Sequence, residues 1–282
     1  MDTVITASAL ERIDWNEEWK KVQLRASSRK RRPDPTEFWN LKAKRYDQME
    51  NMGNERAERV IAGMGVDGNS SVIDIGCGPG TVSIPLARVA RTVTAIDPAS
   101  GMIASLQEKA SAAGLSNIRT LNKRWEDVLI GADLEHHDVV VASYSLAMDD
   151  IRSALEKMDA VSKTGVCLFW FAGKHAWGRE LLWSKLFGES YVAGPDHIYL
   201  LNVLYQMSIH PNVEVTRRTH EQRFHSFEDA VQQWRENFPK LTPEQDEIIR
   251  EYVENVLQQE DGTYCSRTEI VTAMVWWRKE CC

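Results

Sequence analysis

The chain has 282 residues, 43% of them hydrophobic, with 16 Gly, 9 Pro and a formal net charge of −7. That is enough for one large domain with elaborations, or for two small ones. No apolar run approaches the ~18 residues needed to span a bilayer, residues 1–10 lack the basic start and apolar core of a secretion signal, and no domain-wide basic footprint favours nucleic acid; the expectation is a cytoplasmic protein with neither a membrane nor a nucleic acid as partner.

Leu10, Ile13, Trp15, Trp19, Val22 and Leu24 recur at helical spacing and predict an amphipathic helix over 8–24. The stretch 25–35 breaks it. Its Arg29-Lys30-Arg31-Arg32 run, followed by Pro33-Asp34-Pro35, reads as a solvated linker rather than a phosphate-binding arm. Thr36 is the expected N-cap of a helix over 37–48, and Asn54 of another over 55–64. Strict alternation follows: strand 71–75, helix 81–90, strand 92–96, helix 100–113 closed by Gly114, strand 117–121, strand 138–143, helix 149–162 and strand 165–171. Helices are predicted at 177–187 and 198–207, a strand at 213–224, helices at 227–237 and 243–259, and a last strand at 269–277. Seven strands with intervening helices give an α/β, doubly wound, mostly parallel sheet. Residues 1–60 are expected to form an N-terminal helical lid, and 61–282 the main domain with cap insertions at 172–197 and 225–265. Open α/β sheets bind ligands outside the carboxyl ends of their strands. Both insertions leave from such ends and can roof a site there.

The most informative segment is Val72-Ile73-Asp74-Ile75-Gly76-Cys77-Gly78-Pro79-Gly80. An apolar run ends in an acid, three glycines alternate, and a helical segment begins. Glycines permit positive φ and let a ligand approach the turn with no Cβ in the way. A second apolar run, 92–96, ends in Asp97, where a carboxylate can accept hydrogen bonds from both hydroxyls of a ribose. A dinucleotide fingerprint requires its third glycine three residues after the second; here the glycines stand at 76, 78 and 80.

This acid-x-Gly-x-Gly-x-Gly form resembles motif I of the class I S-adenosylmethionine-dependent methyltransferases, of the small-molecule, methyltransferase type 11-like kind. Asp97-Pro98-Ala99-Ser100-Gly101-Met102 resembles the next motif of that family. The resemblance implies a Rossmann-like methyltransferase fold, S-adenosyl-L-methionine as cofactor and S-adenosyl-L-homocysteine as product. It implies that the turn Gly76, Cys77, Gly78 and Gly80 offers backbone amides to the methionine end, and that Asp74 anchors the amino group there. Asp97 and Pro98 would hold the ribose and Met102 the adenine face. Trp125 and Glu126 would lie against the adenine, although Arg124 stands where the family has an acid. Ser143 and Tyr144 would flank the sulfonium. Tyr46, in a segment with Phe38-Trp39-Asn40 and Asp47, would close over it.

Methyl transfer from a sulfonium is an in-line displacement with a neutral leaving group. Positioning and dryness matter most, and a base is needed only where the acceptor must lose a proton. His175 and His197 are the candidate bases, each also readable as a surface or capping histidine. Asp149 and Asp150 fit either a base or an N-cap with a first-turn acid. His136, His137 and His210 are assigned no role. Ala142-Ser143-Tyr144-Ser145 lacks the acid-or-Asn, proline and aromatic corner of base-amine methylators, so the expected partner is a small-molecule methyl acceptor; a homodimer is left open. No Cys/His/Asp spacing reads as a metal site. Cys77 and Cys167 suit buried thiols, Cys265 shows no pairing pattern, and Cys281-Cys282 reads as a frayed tail. Trp39, Trp177, Trp183 and Trp234 either line a pocket or pack the lid helices together. Two other readings remain: a non-catalytic nucleoside-binding module of the same fold, and a nicotinamide-dependent oxidoreductase, which the glycine spacing disfavours.

Overall fold

The computed structural model describes residues 12–27, 34–43, 50–173, 179–238 and 241–279. Its strands are β1 (Ser71–Ile75), β2 (Thr92–Ile96), β3 (Ile118–Leu121), β4 (His137–Ser143), β5 (Ser162–Phe171), β6 (Asn212–Phe224), β7 (Gln258–Glu260) and β8 (Thr263–Arg278). They form one sheet in the order β3-β2-β1-β4-β5-β8-β6, with β7 paired to β8. β1 to β5 are parallel, and β8 runs antiparallel between β5 and β6. The chain order reverses between β1 and β4, which opens a crevice at the carboxyl ends of those strands.

Alternation along the strands divides two cores across the sheet. Ile73, Ile75, Val140, Ala142, Val166 and Leu168 face one layer, made by helices α1 (Trp15–Arg25), α6 (Ile151–Val161) and α8 (His197–Gln206). Val72, Val93, Val139, Val141, Cys167 and Phe169 face the other, built on α3 (Glu50–Met64) and α4 (Ser83–Ala87). Helix α5 (Ser100–Ala112) continues this second layer through Ile103 and Leu106. A third core joins α7 (Arg179–Phe187) to α9 (Phe227–Arg235) and α10 (Pro243–Val256). The two expected insertions therefore fold onto each other.

Several boundaries differ from the sequence reading, each for a local reason. Of the helix predicted over 8–24, residues 8–11 lie outside the described residues, and α1 starts at Trp15, where the Asp14 carboxylate accepts from the amides of Asn16 and Glu17. Helix α2 (Pro35–Lys42) is capped by Asp34, not Thr36, with Pro35 in its first turn. Asn54 lies inside α3 and caps nothing. That helix also runs through the boundary expected at residue 60, and its Ala57, Val60 and Met64 belong to the second core, so α3 packs with the main domain. Helix α10 stops at Val256, and the tail of the predicted helix 243–259 turns into β7. Asp261 (φ 48°) and Gly262 (φ 74°) then make the two-residue hairpin turn into β8, which starts earlier than the predicted 269.

Candidate functional site

The site is built where β1, β2 and β4 end side by side. Gly76 and Cys77 donate their amides to the carbonyl of Ile96, which folds the turn back over the end of β2. Gly76 has φ 66°, and a Cβ there would stand 2.2 Å from Cβ of Ser145, whose hydroxyl donates to the Ile75 carbonyl at 2.5 Å. A Cβ on Gly80 (φ 88°) would stand 2.3 Å from Cδ1 of Leu106. Those two glycines are steric requirements of the fold. Gly78 (φ 54°) differs, since a Cβ there would meet nothing within 4 Å. Its surface is the free side of the turn.

Two carboxylates flank that free side. Asp97, 8% exposed, accepts from the amides of Gly78 at 3.0 Å and Ala99 at 2.8 Å. Burial pushes its carboxyl upward, opposed by those two amides. A carboxylate has about four acceptor positions, so two amides leave Asp97 room for both hydroxyls of a ribose. Asp74, buried in β1, accepts from Ser83 Oγ at 2.5 Å through one oxygen, and its other oxygen is buried with no hydrogen-bond partner. Burial raises its carboxyl to about 6, opposed by Ser83 and by the charge of Arg56. The adjacent Cys77 thiol is pushed up by burial and by both carboxylates, so it stays protonated and unreactive.

Helix α2 lies over the Asp97–Met102 segment. Asn40 Oδ1 accepts from the Gly101 amide at 2.8 Å, and Ala43 and Trp39 pack on Ala99 and Met102. Lys42 Nζ, in the same C-terminal turn of α2, donates to Asn237 Oδ1 at 2.7 Å. That turn thus touches both the Asp97–Met102 segment and the 225–265 insertion. Helix α1 covers the neighbouring edge: Trp19 Nε1 donates to the Met148 carbonyl at 2.9 Å, and the Ser27 amide to the Val192 carbonyl, also at 2.9 Å. An unpaired buried acceptor, an open glycine and a half-filled carboxylate under a roof fit an adenosyl amino acid.

Comparison with known proteins agrees. Residues 72–165 match the family model described as a methyltransferase domain. Residues 72–165 are a methyltransferase domain. An uncharacterised protein of Haemophilus influenzae is 29% identical over 242 residues, spanning 85% of this chain and 88% of that one. The ubiquinone biosynthesis O-methyltransferase of Methylobacterium nodulans is 53% identical, over only 45 residues and 18% of its length. Among solved structures, a candidate methyltransferase of Bacillus halodurans shares the fold with TM-score 0.54 at 15% identity, covering 80% of this chain and 99% of its own. The Bacillus subtilis YcgJ protein does so with TM-score 0.50 at 13% identity, covering 78% and 97%.

The methyltransferase domain brings Asp74, Gly76, Cys77, Gly78, Gly80, Asp97, Pro98, Met102, Ser143 and Tyr144 to one edge of the sheet. It separates others from it. Trp125, 2% exposed, donates its indole N–H to the Ala154 carbonyl at 3.1 Å under the Lys157 ammonium. Its ring is committed to the core between the sheet and α6, a correction to its expected place at the adenine. Glu126 is exposed and paired with Arg124 at 3.2 Å, so the residue in the family's acidic position turns Glu126 outward. Met102 is 2% exposed beneath α2. Trp183 and Trp234 pack the third core rather than a pocket. Asp150 caps α6 by accepting from the Ser153 amide. Buried His137 bridges Thr94 and the Glu135 carbonyl. Tyr46, His175, Trp177, the 29–32 basic run and Cys281-Cys282 lie outside the described residues. Among the described residues no His/Cys/Asp/Glu cluster is placed to hold a metal, and no helix is long and apolar enough to cross a membrane.

One residue of the site escaped the sequence reading. Arg56 of α3 is 7% exposed and lies over the Tyr144 ring, 5.3 Å from its centroid. Its spacing was the available signal: Arg56, Val60 and Met64 fall at i, i+4 and i+8 on the apolar stripe of α3.

Proposed function

We propose that the protein methylates a small-molecule acceptor, with the cofactor held between the Gly76–Gly80 turn, Asp74 and Asp97. The observation that carries the reading is the roof over the carboxyl ends of β1 and β4. Helices α1 and α2 close on that edge through Trp19, Ser27, Asn40 and Lys42, and the two insertions pack on each other and are tied to α2 by the Lys42–Asn237 hydrogen bond. An enclosed edge suits a molecule that can be swallowed whole, and disfavours a polymer that needs an open groove. The short matches do not decide between these. One is to the ubiquinone biosynthesis enzyme above, and another, 32% identical over 69 residues and 16% of its length, is to a 23S rRNA uracil-C5 methyltransferase of Edwardsiella ictaluri. The shared motifs carry the nucleoside site, and the acceptor is chosen by the lids.

When bound, the cofactor supplies an electrophilic methyl on a sulfonium whose departure leaves a neutral thioether. The protein therefore has no leaving group to protonate. Asp97 and the Asp74 carboxylate fix the nucleoside and amino-acid ends, and the turn at Gly78 admits the chain between them. Tyr144, at φ 56°, presents its ring beside the strand ends, tilted 33° to the Phe171 ring at a centroid distance of 5.0 Å. A ring face near a sulfonium contributes roughly 1–2 kcal/mol in a dry site. The helices and insertions exclude water, and collinear positioning does the rest. Where the acceptor must lose a proton, His197 is the described candidate. It opens α8, and its Nδ1 is buried with no hydrogen-bond partner.

The test pairs binding with transfer. Calorimetry should show both S-adenosylmethionine and S-adenosylhomocysteine binding, with NADH silent. Labelled methyl should pass into a metabolite extract and not into total RNA or protein. Undetectable nucleoside binding at millimolar concentration rejects the cofactor site, and label appearing in RNA or protein rejects the small-molecule acceptor.

A further inference from the structure

Strand β6 closes the strand order, and among the described residues no strand pairs with its outer side. Its 13 residues pair with β8 without a register break. Folded proteins commonly blunt such an edge with bulges, prolines or lysines, and residues 212–224 contain none of the three. A row of unpaired N–H and C=O groups is therefore open to a further strand.

The two faces of β6 differ. Glu214 and Arg218 lie against α3, where Glu214 pairs with Arg59 at 3.0 Å and Arg218 with Glu55 at 2.7 Å. Val213 and Val215 face the first core's layer, since they stand opposite Val275 and Ala273 of β8. They are 40% and 53% exposed. Helix α8 of that layer adds to them. Its Tyr199 packs on Trp15 and its Gln206 donates to the Ile13 carbonyl, so that side of the helix faces α1. Ile198 and Tyr205, one residue or about 100° round from these and away from buried Leu200, are exposed. An apolar strip on α8 and the start of β6 thus shares one layer with the unpaired edge.

Charge decides which strand can add there. In an antiparallel pair related by a two-fold normal to the sheet, opposed residues share a face, so one residue lies on the axis and only residues of like parity meet. Take the registers that overlap at least as far as residues 212–220 of each copy. An axis at 217 or 218 sets an arginine against itself, one at 220 sets Arg217 against Arg223, and one at 219 sets Arg218 against His220. An axis at Thr216 sets Glu214 against Arg218 of the second copy on both sides of the seam and opposes no like charges. Charges then alternate across the seam, from Arg59 and Glu214 of one copy to Arg218 and Glu55 of the other. We propose that β6 is a dimerisation edge, pairing antiparallel with β6 of a second copy about a two-fold at Thr216 and joining the two sheets into one. The occupant is a second copy because the edge is complementary to itself. The seam lies four strand spacings, about 19 Å, from β1, so it leaves each cofactor site clear and does not depend on which acceptor is methylated.

Sedimentation equilibrium of the full chain should report a dimer. Glu214→Arg and Arg218→Glu each turn two matched cross-strand pairs into like-charged ones, and each should raise the dimer Kd about 10- to 30-fold. In an equimolar mixture of the two variants every seam position is matched again. Native mass spectrometry should then show the heterodimer in excess of either homodimer, a result that also requires both variants to be folded. Should circular dichroism show that a charge reversal unfolds the chain, Glu214→Gln and Arg218→Gln remove the match without repulsion and should each raise Kd about 3- to 10-fold. The inference is overturned by a wild type that stays monomeric at high micromolar concentration or by a dimer whose Kd none of these substitutions moves. Folded charge-reversal variants that fail to pair with each other overturn it as well.

Discussion

Replacing Asp74 by Asn should stabilise the ligand-free protein at neutral pH while weakening ligand binding. The Asp74 carboxyl is raised from 3.8 to about 6, chiefly by burial. Between those two values the folded state holds a proton that the unfolded state has released. Stability from this group is therefore complete below pH 3.8 and is lost as pH rises through 6. Two pKa units correspond to roughly 3 kcal/mol. Asn is neutral at every pH and keeps a carbonyl oxygen for the Ser83 hydroxyl, so it should not suffer that loss. For a chain of this size the difference is roughly 5–10 °C in melting temperature at pH 8, shrinking to little at pH 4. Differential scanning calorimetry of both proteins from pH 4 to 8, without ligand, measures it directly. Taking the difference between the proteins removes titrations they share, including His137, whose depressed pKa gives a slope of opposite sign. A gap that does not widen with pH, or an Asn variant less stable at pH 8, refutes the assignment of the buried charge. Calorimetric titration with S-adenosylhomocysteine on the same variants should show the reverse order: wild-type affinity should rise as the Asp74 carboxyl ionises through pH 6, and the Asn protein should lack that rise.

Asp97→Asn should reduce S-adenosylhomocysteine affinity about 100-fold or more, because the amide must oppose an N–H donor to Gly78 or Ala99 and loses charge towards two hydroxyls; an effect under threefold by calorimetry contradicts the ribose assignment. Gly76→Ala and Gly78→Ala should separate cleanly. The first drives a Cβ into Ser145 and should lower the melting temperature by several degrees, whereas the second meets open space and should cost about 1 kcal/mol of backbone strain but most of the nucleoside affinity. Asn40→Ala removes the acceptor for the Gly101 amide and should lower stability by about 1 kcal/mol, and limited proteolysis should cut the N-terminal segment faster in that variant while the cofactor is absent.

Much of this was legible because the signals were local. The buried run 71–75 followed by alternating glycines could fold in few ways, and β1 and β2 fall where the apolar runs do. The cap of α2 was misjudged because Asp34, ahead of Pro35 at the first helical position, accepts from the Thr36 amide and starts the helix two residues early. The Asp261-Gly262 pair announces a hairpin, yet the amphipathic pattern of α10 runs on into it, and only pairing with β8 ends the helix. Trp125 was expected at the adenine, beside Arg124, but its direction is fixed by Ala154 and Lys157, which lie about 30 residues away in sequence. The place of Arg56 over the Tyr144 ring is likewise a property of what surrounds it. No reading of residue 56 alone contains it.

The third core, between α7, α9 and α10, has a consequence for how such enzymes diversify. Its apolar contacts, Leu182 and Trp183 against Val231, Phe238, Ile249 and Val253, touch the sheet only at Phe224 and Tyr264, away from the clusters that flank β1 and β4. Residues on the underside of that cap can be exchanged without repacking the strands that carry Asp74 and Asp97. A lineage could therefore retune which molecule is accepted while the nucleoside cradle beneath stays constant.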